Sequence, residues 1–216
     1  SMLLLALTVI AIERGRSNRA AGLIGLAGLA KDINLLWSTI LIDTRSTNRR
    51  GWLLLGPRLI LVVTPLAVWM LYLFYADLEF RDAAGFRNFS APFTGYVALW
   101  DTTLSELAKD GWDSYGRFNL FLLVSVSTQT IVLIWVRAWG DPWWRTGMAS
   151  CVLMVFLGSA VWEGHPSAAT RVLLPMTFAF NAVLPRNNWF WLLFGLGNLT
   201  ALHGLEVLRV PFWYLL

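Results

Sequence analysis

The chain has few of the residues that carry metal, disulfide or histidine chemistry. It contains 1 cysteine, Cys151, and 2 histidines, His165 and His203, among 216 residues. A single cysteine excludes a disulfide framework and a thiolate metal cluster. Two histidines far apart in sequence do not provide a histidine-rich metal site, and the chain lacks a phosphate-binding glycine loop and the motifs Gly-x-Ser-x-Gly and His-Glu-x-x-His. We therefore predict a protein with no metal and no cofactor.

Charged residues are also scarce. They make up 14% of the chain, whereas hydrophobic residues make up 57%; soluble domains have about 25% charged residues. This composition excludes a disordered chain, and a 24.4 kDa soluble globule has too little interior to bury so much apolar surface. The net charge of +4 comes from short basic loops, so we expect no nucleic-acid partner.

Long apolar runs are what the sequence has instead. Helices cross a bilayer with about 20 apolar residues, and half-spans are shorter. The runs are too long and too uniformly apolar for the alternating strands of a membrane barrel. The fold class that we predict is all-α: a polytopic helical membrane protein with about six transmembrane or half-membrane helices, 1–216 forming one transmembrane domain in the lipid bilayer. The apolar runs are 2–12, 20–42, 52–76, 118–136, 146–162, 172–185 and 189–205.

The loops between these runs differ in charge. Loops 13–19, 43–51 and 137–145 are rich in arginine, which predicts a cytoplasmic location. Segment 77–117 has 7 acidic and 4 basic residues, and we expect it outside the cell membrane.

This topology raises a question about 20–42. If 13–19 and 43–51 both lie inside, 20–42 is not a single crossing but two half-helices, or a re-entrant hairpin, broken at Lys31-Asp32. A charged pair in mid-span favours such a break. The alternative is one crossing, with 43–51 outside against the charge rule.

Two groups of charged residues are candidate binding residues. Glu163, His165 and Arg171 lie within nine residues at the predicted outer mouth of a helix. A guanidinium at this position can bind a phosphate, because two of its N–H groups donate to two phosphate oxygens in parallel. The alternative is that the Arg171 side chain only extends toward the lipid headgroups and binds no substrate. Lys31 and Asp32 either face a polar cavity or mark a kink without a ligand.

Segment 77–117 contains a predicted amphipathic helix on the outer face. Its apolar residues recur at helical spacing, and Pro92 suits the first turn. The helix either forms a wall of a substrate cavity or lies on the membrane surface without a ligand. Tryptophans in 139–145 are predicted interface anchors. The apolar residues of the outer helix are Phe93, Tyr96, Val97, Trp100, Leu104 and Leu107.

Three stretches resemble known proteins. Residues 22–36, 89–96 and 163–175 resemble, in this order, the C-terminal half of the polytopic glycosyltransferases of the GT-C superfamily. Within it they are most similar to bacterial mannosyltransferase-like proteins of cell-surface glycopolymer formation. The resemblance implies a multi-pass protein of the bacterial inner (cytoplasmic) membrane. It would transfer a sugar from a polyprenyl-phosphate-linked donor to a glycan or glycopolymer acceptor on the extracytoplasmic face.

The resemblance also implies roles for residues. Arg171 would contact the lipid phosphate, Glu163 and His165 would line the sugar or acceptor pocket, and Lys31 and Asp32 would lie near the lipid groove. The catalytic acid of that superfamily lies in the first extracytoplasmic loop, and no residue here matches it. We therefore expect the chain to be the C-terminal portion of a longer protein, and its catalytic residue is unknown.

Two other functions fit the same composition. One is a transporter or flippase-like subunit, since broken apolar segments that carry charges are found in transporters. The other is a non-catalytic membrane scaffold. Many transporters have internal repeats, and the sequence shows none, which favours the enzyme.

Overall fold

A computed structural model describes residues 2–42, 49–75, 88–110, 114–162 and 168–202. These residues form helices and no strand, with one isolated bridge between Phe89 and Leu157. The all-α prediction is thereby confirmed, and two of the helices are long and apolar enough to cross a membrane. The chain divides into two compact units, the first Ser1–Ala83 with Arg137–Ser150 and the second Ala84–Val136 with Cys151–Leu216.

The first unit is built around one central helix. Helix α1 spans Met2–Glu13, α2 spans Ser17–Ala30, a 3-10 helix spans Asp32–Leu41 and α3 spans Arg49–Tyr75. Helix α2 contacts the other three, because its small residues let neighbouring backbones approach closely. The core between them is apolar and includes Leu5, Val9, Ala20, Ala21, Ile24, Ala27, Trp37, Ile40, Leu41 and Val62.

The structure has a helix break at Lys31, one of the two arrangements that the sequence left open for 20–42. Lys31 has an extended backbone, with φ −164° and ψ 121°, between α2 and the 3-10 helix. The buried Asn34 donates its Nδ2 to the carbonyl of Ala27 at 2.9 Å, and the same carbonyl accepts from the Lys31 amide at 3.1 Å. Residues 20–42 therefore do not form one continuous helix.

Helix α3 contains the first candidate span, Leu53–Tyr72, close to the predicted 52–76. Pro65 lies inside it and has no N–H to donate to the carbonyl of Leu61. That carbonyl faces α2 at Gly25, where a Cβ atom would lie 3.1 Å from the Leu61 oxygen. The missing side chain at Gly25 lets the α2 backbone cover this part of α3.

In the second unit, several helices pack against one long helix, α5 (Ser114–Val136), which carries several polar side chains. The other helices of this unit are α4 (Thr94–Asp110), α7 (Ser159–Trp162), α8 (Ala168–Val172), α9 (Leu174–Val183) and α10 (Phe190–Gly197); α6 spans Pro142–Phe156. Helix α5 contacts α4, α9 and α10 and includes the second candidate span, Gly116–Val136, as predicted for 118–136. Gln129 donates to the Gly197 carbonyl at 2.7 Å and Ser125 to the Leu196 carbonyl at 3.2 Å, closing the C-terminal end of α10.

The prediction of one continuous span over 146–162 is wrong. Helix α6 ends at Phe156, because the segment before α4 supplies donors for its last carbonyls. The amide of Ser90 donates to the Phe156 carbonyl at 2.9 Å, and that of Phe93 to the Val155 carbonyl at 2.7 Å. These donors take the place of the next helical turn.

The apolar runs 172–185 and 189–205 give shorter helices than their lengths indicate. The first is interrupted between α8 and α9 at Leu173, since Pro175 cannot donate to the carbonyl of Arg171. The second gives α10, which ends at Gly197. Its C-cap residue, Asn198, exchanges two hydrogen bonds of 2.9 Å with Asn181 of α9.

Candidate functional site

Arg171 lies in the last turn of α8. Its side chain is exposed, whereas Ala169 before it and Leu173 after it are buried. Helix α8 contacts both α7 and α9, so buried neighbours hold the backbone that carries the guanidinium. A guanidinium can bind a phosphate in two parallel hydrogen bonds, and it can equally reach toward lipid headgroups.

Glu163 and His165 lie outside the described residues, and their proximity to Arg171 stays a prediction. Helix α7, which precedes them, ends at Trp162, and the Nε1 of this residue donates to the Leu157 carbonyl at 3.2 Å. The ring of Trp162 also lies 5.7 Å from that of Tyr96. The chain therefore leaves α7 from a packed position before these two residues.

Lys31 and Asp32 are both exposed in the first unit. The Asp32 carboxylate accepts a hydrogen bond from the Ile33 amide at 2.8 Å, and no ion pair joins the two side chains. Of the two interpretations left open, this arrangement matches a helix break that a carboxylate stabilises locally. Arg171 belongs to the other unit.

The predicted tryptophan anchor turns out to include a helix cap. Asp141 accepts hydrogen bonds from the amides of Trp143 and Trp144, at 2.7 and 3.3 Å, as an N-cap carboxylate does. The rings of Trp139 and Trp144 lie 4.6 Å apart, and Trp139 is exposed while Trp144 is buried. The stretch therefore starts α6 and leaves one indole at the surface.

The predicted outer helix exists as α4, but it has two distinct faces. Phe93, Val97 and Leu104 of the predicted apolar stripe are at least half exposed, at 50%, 59% and 56%. The face that packs includes the buried Leu99 and Thr103 together with Tyr96 and Trp100 of the predicted stripe, which are half-buried. Apolar residues on the exposed face suit a membrane surface, whereas the residues on the other face hold α4 in the protein.

Gly95 fixes the start of this helix. A Cβ atom at Gly95 would lie 2.5 Å from the Leu157 oxygen and 2.6 Å from the Trp162 ring, so a larger residue would have to displace backbone. One residue later, the hydroxyl of Tyr96 lies 2.6 Å from the hydroxyl of Ser127 in α5. Helix α4 is therefore held against both α7 and α5.

Three buried polar side chains in α4 and α5 were missed by the sequence analysis as candidate site residues. Thr103 Oγ1, Glu106 Oε2 and Asn119 Nδ2 are shielded from solvent and have no hydrogen-bond partner. Buried polar groups without a partner are rare in proteins and are found at functional sites. For Thr103 and Glu106 the sequence contains a signal that could have indicated them: their spacing from Leu99 places all three residues on one face of the helix.

Comparison of the chain with protein-family models, curated proteins and solved structures gives no match in any of the three.

Proposed function

We propose that the chain is part of a multi-pass glycosyltransferase of the bacterial inner membrane, with about six transmembrane or half-membrane helices. It transfers a sugar from a polyprenyl-phosphate-linked donor to a glycan or glycopolymer acceptor on the extracytoplasmic face. The membrane part of this proposal is supported by α3, since only 6% of an 18-residue apolar stretch within its candidate span is buried. Apolar surface of that extent needs a bilayer to cover it.

The single observation that carries the transferase is the setting of Arg171. Arg171 is an exposed residue on a turn whose neighbours are buried, just before the apolar helix α9. A donor phosphate bound there would gain negative charge as the bond between sugar and phosphate breaks, and the guanidinium would stabilise that charge. A carboxylate would take the proton of the acceptor hydroxyl; the acid that does so in the GT-C superfamily is expected outside this chain.

Donor binding by an Arg171→Ala variant tests this role. A charge-assisted hydrogen bond contributes about 1.5–3 kcal/mol, so we expect binding of a polyprenyl-phosphate-linked sugar to weaken roughly tenfold or more. Arg171→Lys keeps the charge but loses the paired geometry, so its affinity should lie between those of wild type and Arg171→Ala. Arg186→Ala, which removes another exposed arginine of the second unit, is the control. Unchanged binding by Arg171→Ala would contradict the phosphate role.

A transporter or flippase-like subunit is the second candidate, and the helix break at Lys31 favours it. Transporters bind their substrates where membrane helices are interrupted, and α2 ends at such an interruption. The discriminating experiment places the protein in liposomes with a fluorescent polyprenyl-phosphate sugar. Movement of the lipid between leaflets without transfer of the sugar would support the transporter and count against the enzyme.

A further inference from the structure

Arg58 is a charged residue inside the first candidate membrane span. The span is Leu53–Tyr72, so Arg58 lies five residues from its start, about one and a half helical turns in. An ionisable residue inside a membrane segment is costly, and it is by default a candidate functional residue. Its partner is Asn18 in the first turn of α2, 40 residues earlier: the Arg58 Nε donates to the Asn18 Oδ1 at 3.3 Å. The guanidinium is therefore held against the start of α2.

This hydrogen bond leaves donors on both side chains. It uses one of the five N–H donors of the guanidinium, and no acceptor in the described part of the chain bonds the other nitrogens of Arg58. The Asn18 amide accepts with its Oδ1 and keeps its Nδ2 as a donor. Each of these nitrogens shares a carbon with an atom of the hydrogen bond, so one phosphate group can accept from both side chains. Asn18 is exposed and Arg58 is half-buried, so a ligand can reach them from the surface.

The turn between α1 and α2 adds positive charge around this pair. It contains Arg14, Arg16 and Arg19, all of them exposed, against one acidic residue, Glu13. Gly15 has a left-handed backbone, with φ 68°, and the amides of Gly15 and Arg16 donate back to the last turn of α1 at 2.9 and 2.8 Å. Such a turn is a tight C-cap. It keeps the three arginines near the start of α2, where their field attracts an anion.

Exposed apolar residues of α3 lie beside Arg58. Leu54 precedes it by four residues and Leu61 follows it by three, positions that share a helix face; they are 53% and 44% exposed. Val68, seven residues beyond Leu61 and 60% exposed, continues this apolar stripe. A free phosphate bound at Arg58 would leave the stripe uncovered, whereas the acyl chains of a phospholipid would cover it.

We propose that Asn18 and Arg58 bind the phosphate of an anionic phospholipid whose acyl chains cover the apolar stripe of α3. The arginines of the turn attract the lipid. Loop 13–19 is predicted to be cytoplasmic, and the anionic lipids of that leaflet attract basic segments. The site therefore lies on the side opposite the one on which the sugar donor is proposed to bind. The inference rests on the membrane location in the proposed function and is independent of sugar transfer.

Native mass spectrometry of the full chain in a non-ionic detergent tests the site. The probes are phosphatidylglycerol, which is anionic, and phosphatidylcholine with the same acyl chains, which has no net charge. We expect the wild type to bind one phosphatidylglycerol more tightly than phosphatidylcholine. Arg58→Gln should weaken phosphatidylglycerol binding roughly tenfold or more, and Arg58→Lys, which keeps the charge without the paired donors, should lie between. Arg137→Gln, which removes another exposed arginine of the same unit, is the matched control and should bind as the wild type does.

Thermal unfolding separates lost binding from lost structure. The hydrogen bond between Asn18 and Arg58 is exposed, so we expect Arg58→Gln to change the lipid-free Tm little. Phosphatidylglycerol should raise the Tm of the wild type by more than that of Arg58→Gln, because a ligand stabilises the folded state that binds it. Asn18→Ala is the second variant, since it removes the acceptor that orients Arg58 and keeps every charge. It should weaken phosphatidylglycerol binding by less than Arg58→Gln does.

Two results would overturn the site: equal affinity of the wild type for the two phospholipids, or phosphatidylglycerol binding that Arg58→Gln and Asn18→Ala both leave unchanged. Inorganic phosphate that displaces phosphatidylglycerol at an equal concentration overturns the assignment to a lipid. The site then takes the free anion.

Binding of the polyprenyl-phosphate-linked sugar to the same samples distinguishes this inference from the proposed function. A wild type that binds phosphatidylglycerol through Arg58 but does not bind the donor supports the site and contradicts the transferase. Loss of donor binding in Arg58→Gln, with phosphatidylglycerol binding unchanged, overturns the phospholipid site, because the donor phosphate would then be the ligand of Arg58. Binding of neither lipid by the wild type overturns both.

Discussion

Helices α3 and α5 have nearly the same length and hydropathy, yet they use their surfaces in opposite ways. The candidate spans of α3 and α5 have 20 and 21 residues, and the buried share of an 18-residue apolar stretch within them is 6% in α3 and 44% in α5. Hydropathy alone marks both as capable of crossing a membrane. Burial separates a helix with an open apolar surface from one surrounded by other helices.

One polar residue near the middle of each span shows the same contrast. In α3, the Thr64 hydroxyl donates to the Ile60 carbonyl of its own helix at 2.7 Å, so it needs no neighbour. In α5, Gln129 reaches Thr177 at 3.1 Å and Gly197 at 2.7 Å, on two other helices. A helix at the lipid surface satisfies its polar groups internally, whereas a central helix uses them to hold its neighbours.

A charge placed on the open face of α3 is expected to have the largest effect. Ile60 is 68% exposed near the middle of the span, and an arginine at a bilayer centre costs about 2.5–3.5 kcal/mol of insertion free energy. Ile60→Arg should therefore lower the inserted fraction in a microsomal insertion assay. Leu53→Arg, equally exposed at the end of the span, should insert nearly as well as wild type because its side chain reaches the interface.

Equal insertion of Ile60→Arg and Leu53→Arg would remove the contrast between the two helices, since it would mean that water, not lipid, covers α3. A span that faces water would tolerate arginine at either position.

An intermediate effect is expected when α5 loses a contact that it makes to its neighbours. Gln129→Leu leaves the Gly197 carbonyl and the Thr177 hydroxyl without their partner, and such a loss costs about 1–2 kcal/mol in membrane helices. Unfolding in a denaturing detergent should show the lower stability. Thr128→Val is the matched control, because the Thr128 hydroxyl donates only within its helix, to Val124 at 2.8 Å. Equal stabilities of the two variants would contradict the view of α5 as a central helix.

The positions of α3 and α5 could be predicted from sequence because each depends on its own apolar residues. The sequence narrowed 20–42 to two arrangements, a break at the charged pair Lys31-Asp32 or one crossing, and did not decide between them. The end of α6 at Phe156 could not be predicted, because it depends on amides of Ser90 and Phe93, more than 60 residues earlier. Hydropathy contains no information on which distant backbone will supply a donor.

The candidate site residues also divide into those that the sequence indicated and those that it did not. The sequence indicated Arg171 because a guanidinium at the head of an apolar helix is locally unusual, and its exposure agrees with that choice. The sequence did not indicate Thr103 and Glu106, because the helical pattern of α4 was defined by its apolar residues alone. The face that packs mixes apolar residues such as Leu99 with glycine and polar residues, and the contacts with α5 and α7 distinguish it from the exposed side of the helix.

The smallest effect expected here concerns the close approach of α2 to α3 at Gly25. Alanine in place of a helical glycine ordinarily stabilises by about 0.5–1 kcal/mol, and Gly22→Ala should do so because nothing lies within 4 Å of its Cβ position. At Gly25 the new Cβ would lie 3.1 Å from the carbonyls of Leu61 and Val62 and from the Pro65 ring, so the helices must separate slightly. We expect Gly25→Ala to be less stable than Gly22→Ala by about 1 kcal/mol in thermal unfolding. A gain in stability at Gly25 equal to that at Gly22 would mean that α3 is open to lipid on the α2 side as well.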